Sequence, residues 1–186
     1  MTQSFRLECH PDTPCPTIGS ITVSARRPRS SAGLELEFTL AGQMASLRVP
    51  AQAEPRRVAG LWRHTCLEAF LSVEGEPCYL ELNLAPSGEW AAWTFDDYRA
   101  GMRDADIPDP RIETRAGEDM LVLHAALDLS GLLPLASAEI WLAGFAAVIE
   151  LRDSSLAYWA LAHPPGRPDF HAAVGRCGRL QGKLGA

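Results

Sequence analysis

The chain has almost no lysine: of its 17 basic residues only Lys183 is lysine, and the rest are arginine. Against 23 acidic residues this leaves a formal net charge of −6. Binding a nucleic-acid backbone needs a concentrated basic patch, so nucleic acid is not an expected partner. The arginine bias itself reads as genome composition. No apolar run approaches the ~20 residues of a membrane-spanning helix, so no membrane partner is expected either. The longest apolar stretch, residues 140–149, reads as a buried strand. The opening MTQSFRLECHP lacks the apolar segment of a secretory signal. Five cysteines, an odd number, then suggest reduced thiols and a cytoplasmic location. There is no Cys-x-x-Cys pair for a zinc site. Serine-nucleophile and phosphate-loop motifs are missing as well, and Gly166 and Gly175 stand isolated.

What is present is strand after strand. At 186 residues the chain suits one domain with a substantial core. Leu34, Leu36, Phe38 and Leu40 alternate with Glu35, Glu37 and Thr39, the period of a half-buried strand. Similar segments are expected at 4–10, 18–27, 44–49, 112–115, 120–126, 139–151 and 156–162. Short helical turns are expected within 50–60, 97–102 and 128–133. A single domain over 1–176 is expected, with 177–186 a Gly-rich, weakly patterned tail. About ten short strands with almost no helix predict an all-β fold, an antiparallel β-sandwich of immunoglobulin or jelly-roll type. A closed barrel is the alternative.

The central run from Leu61 to Met102 carries the most information. Strands at 66–73, 78–84 and 89–95 are separated by Glu74-Gly75-Glu76-Pro77 and Ala85-Pro86-Ser87-Gly88. Two four-residue loops pair Glu68 with Asn83 and Leu84 with Glu89. Because side chains alternate, Leu67, Ala69, Leu71, Leu80, Leu82, Trp93 and Phe95 then face the core. Glu68, Phe70, Tyr79, Glu81, Asn83 and Trp90 share the opposite face. In this register Cys66 and Cys78 point apart, so no disulfide joins them. Two carboxylates, a carboxamide and three aromatic rings, with no basic group, suit a ligand that has an apolar face and hydroxyls. Trp62-Arg63-His64 enters the same sheet and is expected to form its rim.

Other chemistries are weaker. Glu68 and Glu81 lie diagonally on neighbouring strands and could reach the separation of a glycosidase pair, yet further catalytic apparatus is missing. The competing structural reading has a second layer covering this face, with Arg63 or Arg99 neutralising the acids. Buried acids need such a reason. His10, His64, His124, His163 and His171 fall at no close metal-ligand spacing, although His163 and His171 flank one loop. Asp96, Asp97, Asp104, Asp106 and Asp109 offer oxygen ligands for calcium, but without the glycine of a dedicated loop. Met44 and Met102 with a histidine could ligate haem, but their spacing does not point to it.

The strings LWRHTCLEAFL, YLELNLAPSGEWAAWTFDDYRAGM and YWALAHPPGRPDFH resemble bacterial DOMON-like proteins, relatives of the family 9 carbohydrate-binding modules. The resemblance spans Leu61 to His171. It implies two antiparallel sheets with a ligand on a concave side, the ligand being a sugar or haem in the wider superfamily. A sugar would lie between tryptophans with polar side chains on its hydroxyls, and Trp62, Trp90, Glu68, Glu81 and Asn83 are the positions that would serve. Haem-binding relatives use Met and His as axial ligands, a pattern this sequence does not match in position. The Gly-rich GRCGRLQGKLGA stands where a final strand is expected.

The reading is therefore a ligand-binding module, leaning non-catalytic, for a saccharide or sugar-containing metabolite. Trp62, Arg63, His64, Glu68, Tyr79, Glu81, Asn83 and Trp90 are its site residues. No cofactor is required, with calcium or haem as minor possibilities. A haem or redox-cofactor domain is the alternative, and a glycan-processing enzyme comes after that. The sequence assigns no oligomeric state.

Overall fold

Period-two alternation becomes strand almost everywhere it occurs. The computed structural model describes residues 1–28 and 32–182. Twelve strands form among these: β1 (Thr2–Cys9), β2 (Ile18–Arg26), β3 (Gly33–Gly42), β4 (Cys66–Ser72), β5 (Tyr79–Leu84), β6 (Trp90–Phe95), β7 (Arg103–Asp104), β8 (Arg111–Ala116), β9 (Met120–Asp128), β10 (Ile140–Glu150), β11 (Leu156–Ala160) and β12 (Gly178–Gln181). Every pairing is antiparallel, in the order β7-β6-β5-β4-β10-β11-β1-β2-β3-β9-β8, with β12 also on β10. The chain is an antiparallel β-sandwich. One layer is β1-β2-β3-β9-β8 and the other runs from β7 to β11, the two joined where Glu8 and Cys9 of β1 pair with β11.

The layers face each other across one large core. Val23, Phe38 and Leu123 from the first layer share it with Leu67, Leu71, Leu82 and Phe145 from the second. A second, smaller apolar cluster lies on the outer side of the second layer and includes Phe70, Tyr79, Trp93 and Phe95. This outer face would be solvent-exposed in a simple sandwich. Here the segment after β11 folds back over it.

The first central hairpin has the expected register, with Glu68 opposite Asn83 and Leu71 opposite Leu80. The second is shifted by one residue: Leu84 pairs with Trp90, Leu82 with Ala92 and Tyr79 with Phe95. The cause lies in the turn. Ala85 N–H donates to the Glu89 carbonyl at 2.9 Å, so these two pair and the loop is only Pro86-Ser87-Gly88. Gly88 closes it at φ 92°, a left-handed conformation that glycine adopts without Cβ strain, and its N–H donates to the Ala85 carbonyl. A one-residue slip turns every side chain of β6 over. Trp90 and Ala92 therefore enter the main core, while Ala91, Trp93 and Phe95 reach the outer face.

Smaller corrections follow the same logic of tertiary pairing. Met44–Ser46 is a 3-10 turn rather than a strand, and Leu47 alone bridges to Leu151. Further 3-10 turns occupy Leu61–Arg63, Leu135–Ser137 and Ala173–Gly175, whereas residues 97–102 and 128–133 form none. The expected loose tail is strand through Gln181: β12 pairs Leu180 with Trp141, and Leu180 is buried. Its outermost part, residues 183–186, lies outside the described residues.

Candidate functional site

A cavity of about 720 Å³ opens on the outer face of the second layer. Its floor is built by β4, β5, β6 and β10, which contribute Glu68, Glu81, Trp93, Phe95 and Val148. One wall is the turn holding Trp62 and Arg63, and the other is the Pro-rich loop holding Arg167, Phe170 and His171. Arg99, Met102 and Tyr158 also line it.

Each wall is fixed by its own contacts. Leu61 is buried against the outer cluster and anchors its turn, leaving the Trp62 ring 49% exposed. Beyond it, His64 Nδ1 lies 2.8 Å from Glu150 Oε2, and Thr65 Oγ1 accepts from Glu150 N–H while donating to the Arg48 carbonyl. On the far side, Asp169 accepts hydrogen bonds from the Tyr98 hydroxyl and the Arg99 guanidinium, each at 2.8 Å, and from His171 N–H. Arg176 donates to the Ser72 hydroxyl and the His171 carbonyl, and its guanidinium sits 4.6 Å over the Tyr79 ring. Gly144 allows this close fit, since a Cβ there would meet the Gly175 carbonyl oxygen at 2.7 Å.

The eight residues expected from sequence separate into groups. Trp62, Arg63, Glu68 and Glu81 line the cavity. Asn83 lies fully buried beneath it, its amide donating to Glu81 Oε1 at 2.6 Å and its oxygen accepting from the Cys66 thiol at 3.4 Å. It therefore orients Glu81. Tyr79 is likewise buried and takes a supporting place: its hydroxyl accepts from Arg99 N–H and shares a hydrogen bond with His171 Nδ1 at 2.8 Å. His64 pairs with Glu150 outside the lining. Trp90 does not belong to the site at all. The turned-over β6 buries it to 1% exposure in the main core, where Arg57 stacks on it at 4.4 Å.

Trp93, the next outward-facing aromatic, takes the place expected of Trp90. A three-residue reading of the loop would have been enough to find it. Phe170 and His171 could not be found that way, because a loop distant in sequence brings them over the sheet. No alternation or spacing encodes that crossing.

The floor is electrostatically unusual. Glu68 is 2% exposed, and its Oε1 is buried without a hydrogen-bond partner. Burial, reinforced by the charge of Glu81, raises the Glu68 pKa well above the ordinary carboxylate value. Burial also raises Glu81, against the opposing pull of the Asn83 amide and Arg99. His171, desolvated and close to Arg99, is lowered to about 4 and is neutral near neutral pH. Its Nε2 faces Glu81 Oε2 at 3.7 Å. The cavity thus offers a buried acid whose pKa is raised, a second acid held in place by Asn83, and aromatic walls.

A carboxyl raised on folding keeps its proton where the unfolded chain has already lost it. Its effect on stability is nil below the ordinary value of 4.5, and stability falls as pH rises from there to the folded pKa. Glu68→Gln is expected to remove this decline. Denaturation midpoints followed from about pH 5 to about pH 8 should fall less in the variant than in the parent. Parallel curves would mean that Glu68 is not desolvated. His171 acts oppositely between 6.5 and about 4, but equally in both proteins.

Met44 is buried in the main core, while Met102 and His171 line the cavity, with His171 Nδ1 2.8 Å from the Tyr79 hydroxyl. For calcium, Asp96 is held by Arg103 in two hydrogen bonds, and Asp97 accepts from Tyr98 N–H. Among the described residues no three acids, histidines or cysteines group to hold a metal ion. None of their helices is long and apolar enough to cross a membrane.

No family model matches the chain, and no curated protein matches it. Solved structures do share its fold, family 9 carbohydrate-binding modules among them. One structure, from Bacteroides uniformis ATCC 8492 and proposed to bind carbohydrate, has a TM-score of 0.67 at 16% identity, covering 98% of this chain and 86% of that one. A family 9 carbohydrate-binding module from Caldicellulosiruptor kristjanssonii in complex with cellotriose has a TM-score of 0.56 at 12% identity, covering 97% and 84%. A second such structure, in complex with glucose, scores 0.53 at 10% identity, covering 97% and 86%.

Proposed function

We propose that this protein is a non-catalytic saccharide-binding module of the DOMON-like kind, with the cavity over β4–β6 as its site. The observation that carries the reading is the pairing of exposed Trp62 with the buried, unpartnered Glu68 carboxyl in one cavity. A sugar ring presents an apolar face to an indole and hydroxyls to a carboxyl, so it satisfies both at once. Trp93 supplies a second indole, and Glu81, oriented by Asn83, supplies a ready acceptor. The likeness to carbohydrate-binding structures supports the same reading. Five free thiols fit a reducing compartment, and we place the protein in the cytoplasm, binding a small soluble saccharide.

Stacking and a few net hydrogen bonds at roughly 1 kcal/mol each give dissociation constants on the order of micromolar to millimolar. Isothermal titration with monosaccharides, disaccharides and nucleotide sugars is expected to find a ligand in that range. Lack of heat with every sugar would reject the reading. A glycan-processing enzyme draws on the same pair of acids, Glu68 with its pKa raised by burial and Glu81 held by Asn83. Aryl-glycoside hydrolysis that disappears in Glu68→Gln would establish that alternative instead.

A further inference from the structure

We propose that the saccharide taken by this cavity is anionic, with its carboxylate or phosphate at the mouth between Arg63 and Arg167; this rests on the saccharide reading above. Most of the other arginines are committed. Arg26 pairs with Glu35, Arg56 with Glu89 and Arg103 with Asp96, while Arg27 donates to the Ala138 and Glu139 carbonyls. Among the described residues only Arg6, Arg63, Arg115 and Arg167 have neither a side-chain hydrogen bond nor an ion pair. Arg6 and Arg115 lie on β1 and β8, in the other layer. Arg63 and Arg167 come from two separate segments and line the same cavity. Arg63 touches the Trp62 ring, 5.2 Å from its centroid, a contact that leaves its N–H donors unused.

That convergence is unexpected in a chain of net charge −6, where a carboxylate partner is easy to supply. Arg99, on the same cavity, has one: Asp169 at 2.8 Å. The two guanidinium groups without an acid stand where a ligand must enter, and such a mouth concentrates positive potential. Guanidinium is also the group that pairs two-pronged with carboxylate and phosphate oxygens.

The floor sets the orientation. An anion driven down to the floor would meet two buried acids, Glu68 and Glu81, rather than the guanidinium groups that can pair with it at the mouth. Hydroxyls suit that end, because the orphan Glu68 oxygen can accept a hydrogen bond from one. The ligand therefore enters with its ring against Trp62 and its acidic group outermost.

The test compares glucose, glucuronate and glucose 6-phosphate by titration calorimetry at low and high salt, on the parent and on the double variant Arg63→Gln/Arg167→Gln. At least one acidic sugar is expected to bind about tenfold or more tighter than glucose at low salt, with the preference shrinking as salt rises. The double variant, altered only at exposed side chains, should bring that acidic sugar down to the level of glucose. Preference for glucuronate over the phosphate identifies a uronic acid as the natural class, and the reverse identifies a sugar phosphate. Equal binding of all three sugars overturns the anionic ligand and leaves the saccharide reading standing. Failure of all three to bind overturns the anionic ligand and counts against the saccharide reading as well.

Discussion

Trp90→Ala is expected to destabilise the domain by about 3–5 kcal/mol, as truncation of a fully buried large aromatic does. Trp90 is 1% exposed and packs within the core between the two layers. Its backbone also ties the incoming segment to the sheet edge: its N–H donates to the Arg56 carbonyl, and its own carbonyl accepts from Val58 N–H. Val58 packs against the outer cluster, one residue before the cavity wall begins at Ala59. The variant should show a lower denaturant midpoint with the slope of the transition little changed. Whatever protein remains folded should bind saccharide as the parent does. A variant of parental stability that has lost its ligand would show Trp90 on the outer face and overturn the register described here.

Trp62→Ala should do the reverse. The ring is 49% exposed on a turn anchored by Leu61, so its loss from the free protein should change stability by less than about 0.5 kcal/mol. Binding should suffer far more. An indole stacked on a sugar loses its buried area together with the aromatic contribution, roughly 2 kcal/mol in all, or about a thirtyfold weaker dissociation constant. Replacement by phenylalanine should restore part of this, because a smaller ring still stacks. If alanine binds as tightly as tryptophan, the turn is not a wall of the site.

The opposite outcomes expected of these two tryptophans mark the limit of what can be read from letters alone. Strand content, the antiparallel sandwich and the first hairpin follow from alternation and turn residues, because the two faces of a sheet differ in solvation and the pattern records it. Alternation puts Glu68 and Glu81 on the outer face for that reason, and they line the cavity. Trp90 goes to the wrong face through a single residue of loop length. Ala85-Pro86-Ser87-Gly88-Glu89 is compatible with either a four-residue loop or a three-residue loop with Gly88 left-handed, and the flanking segment is apolar on both faces. With Trp90, Ala91, Ala92, Trp93 and Phe95 so close together, hydrophobicity cannot choose the register. Packing against Arg57 and the opposite layer can.

The tail and the Pro-rich loop show the same limit at longer range. Leu180 in a Gly-rich stretch has little local strand preference, and becomes strand because the edge of β10 beside Trp141 is open to it. The Pro-rich loop has no periodic signal either, and is held by Asp169, Arg176 and the gap left at Gly144.

By itself, then, the chain determined an all-β sandwich and the two acids on one of its faces, since both depend only on the local alternation of polar and apolar side chains. Tertiary structure decided which tryptophan joins those acids and that the acids are walled in rather than solvated. Both outcomes depend on contacts between segments far apart in sequence, whose energies no local pattern carries.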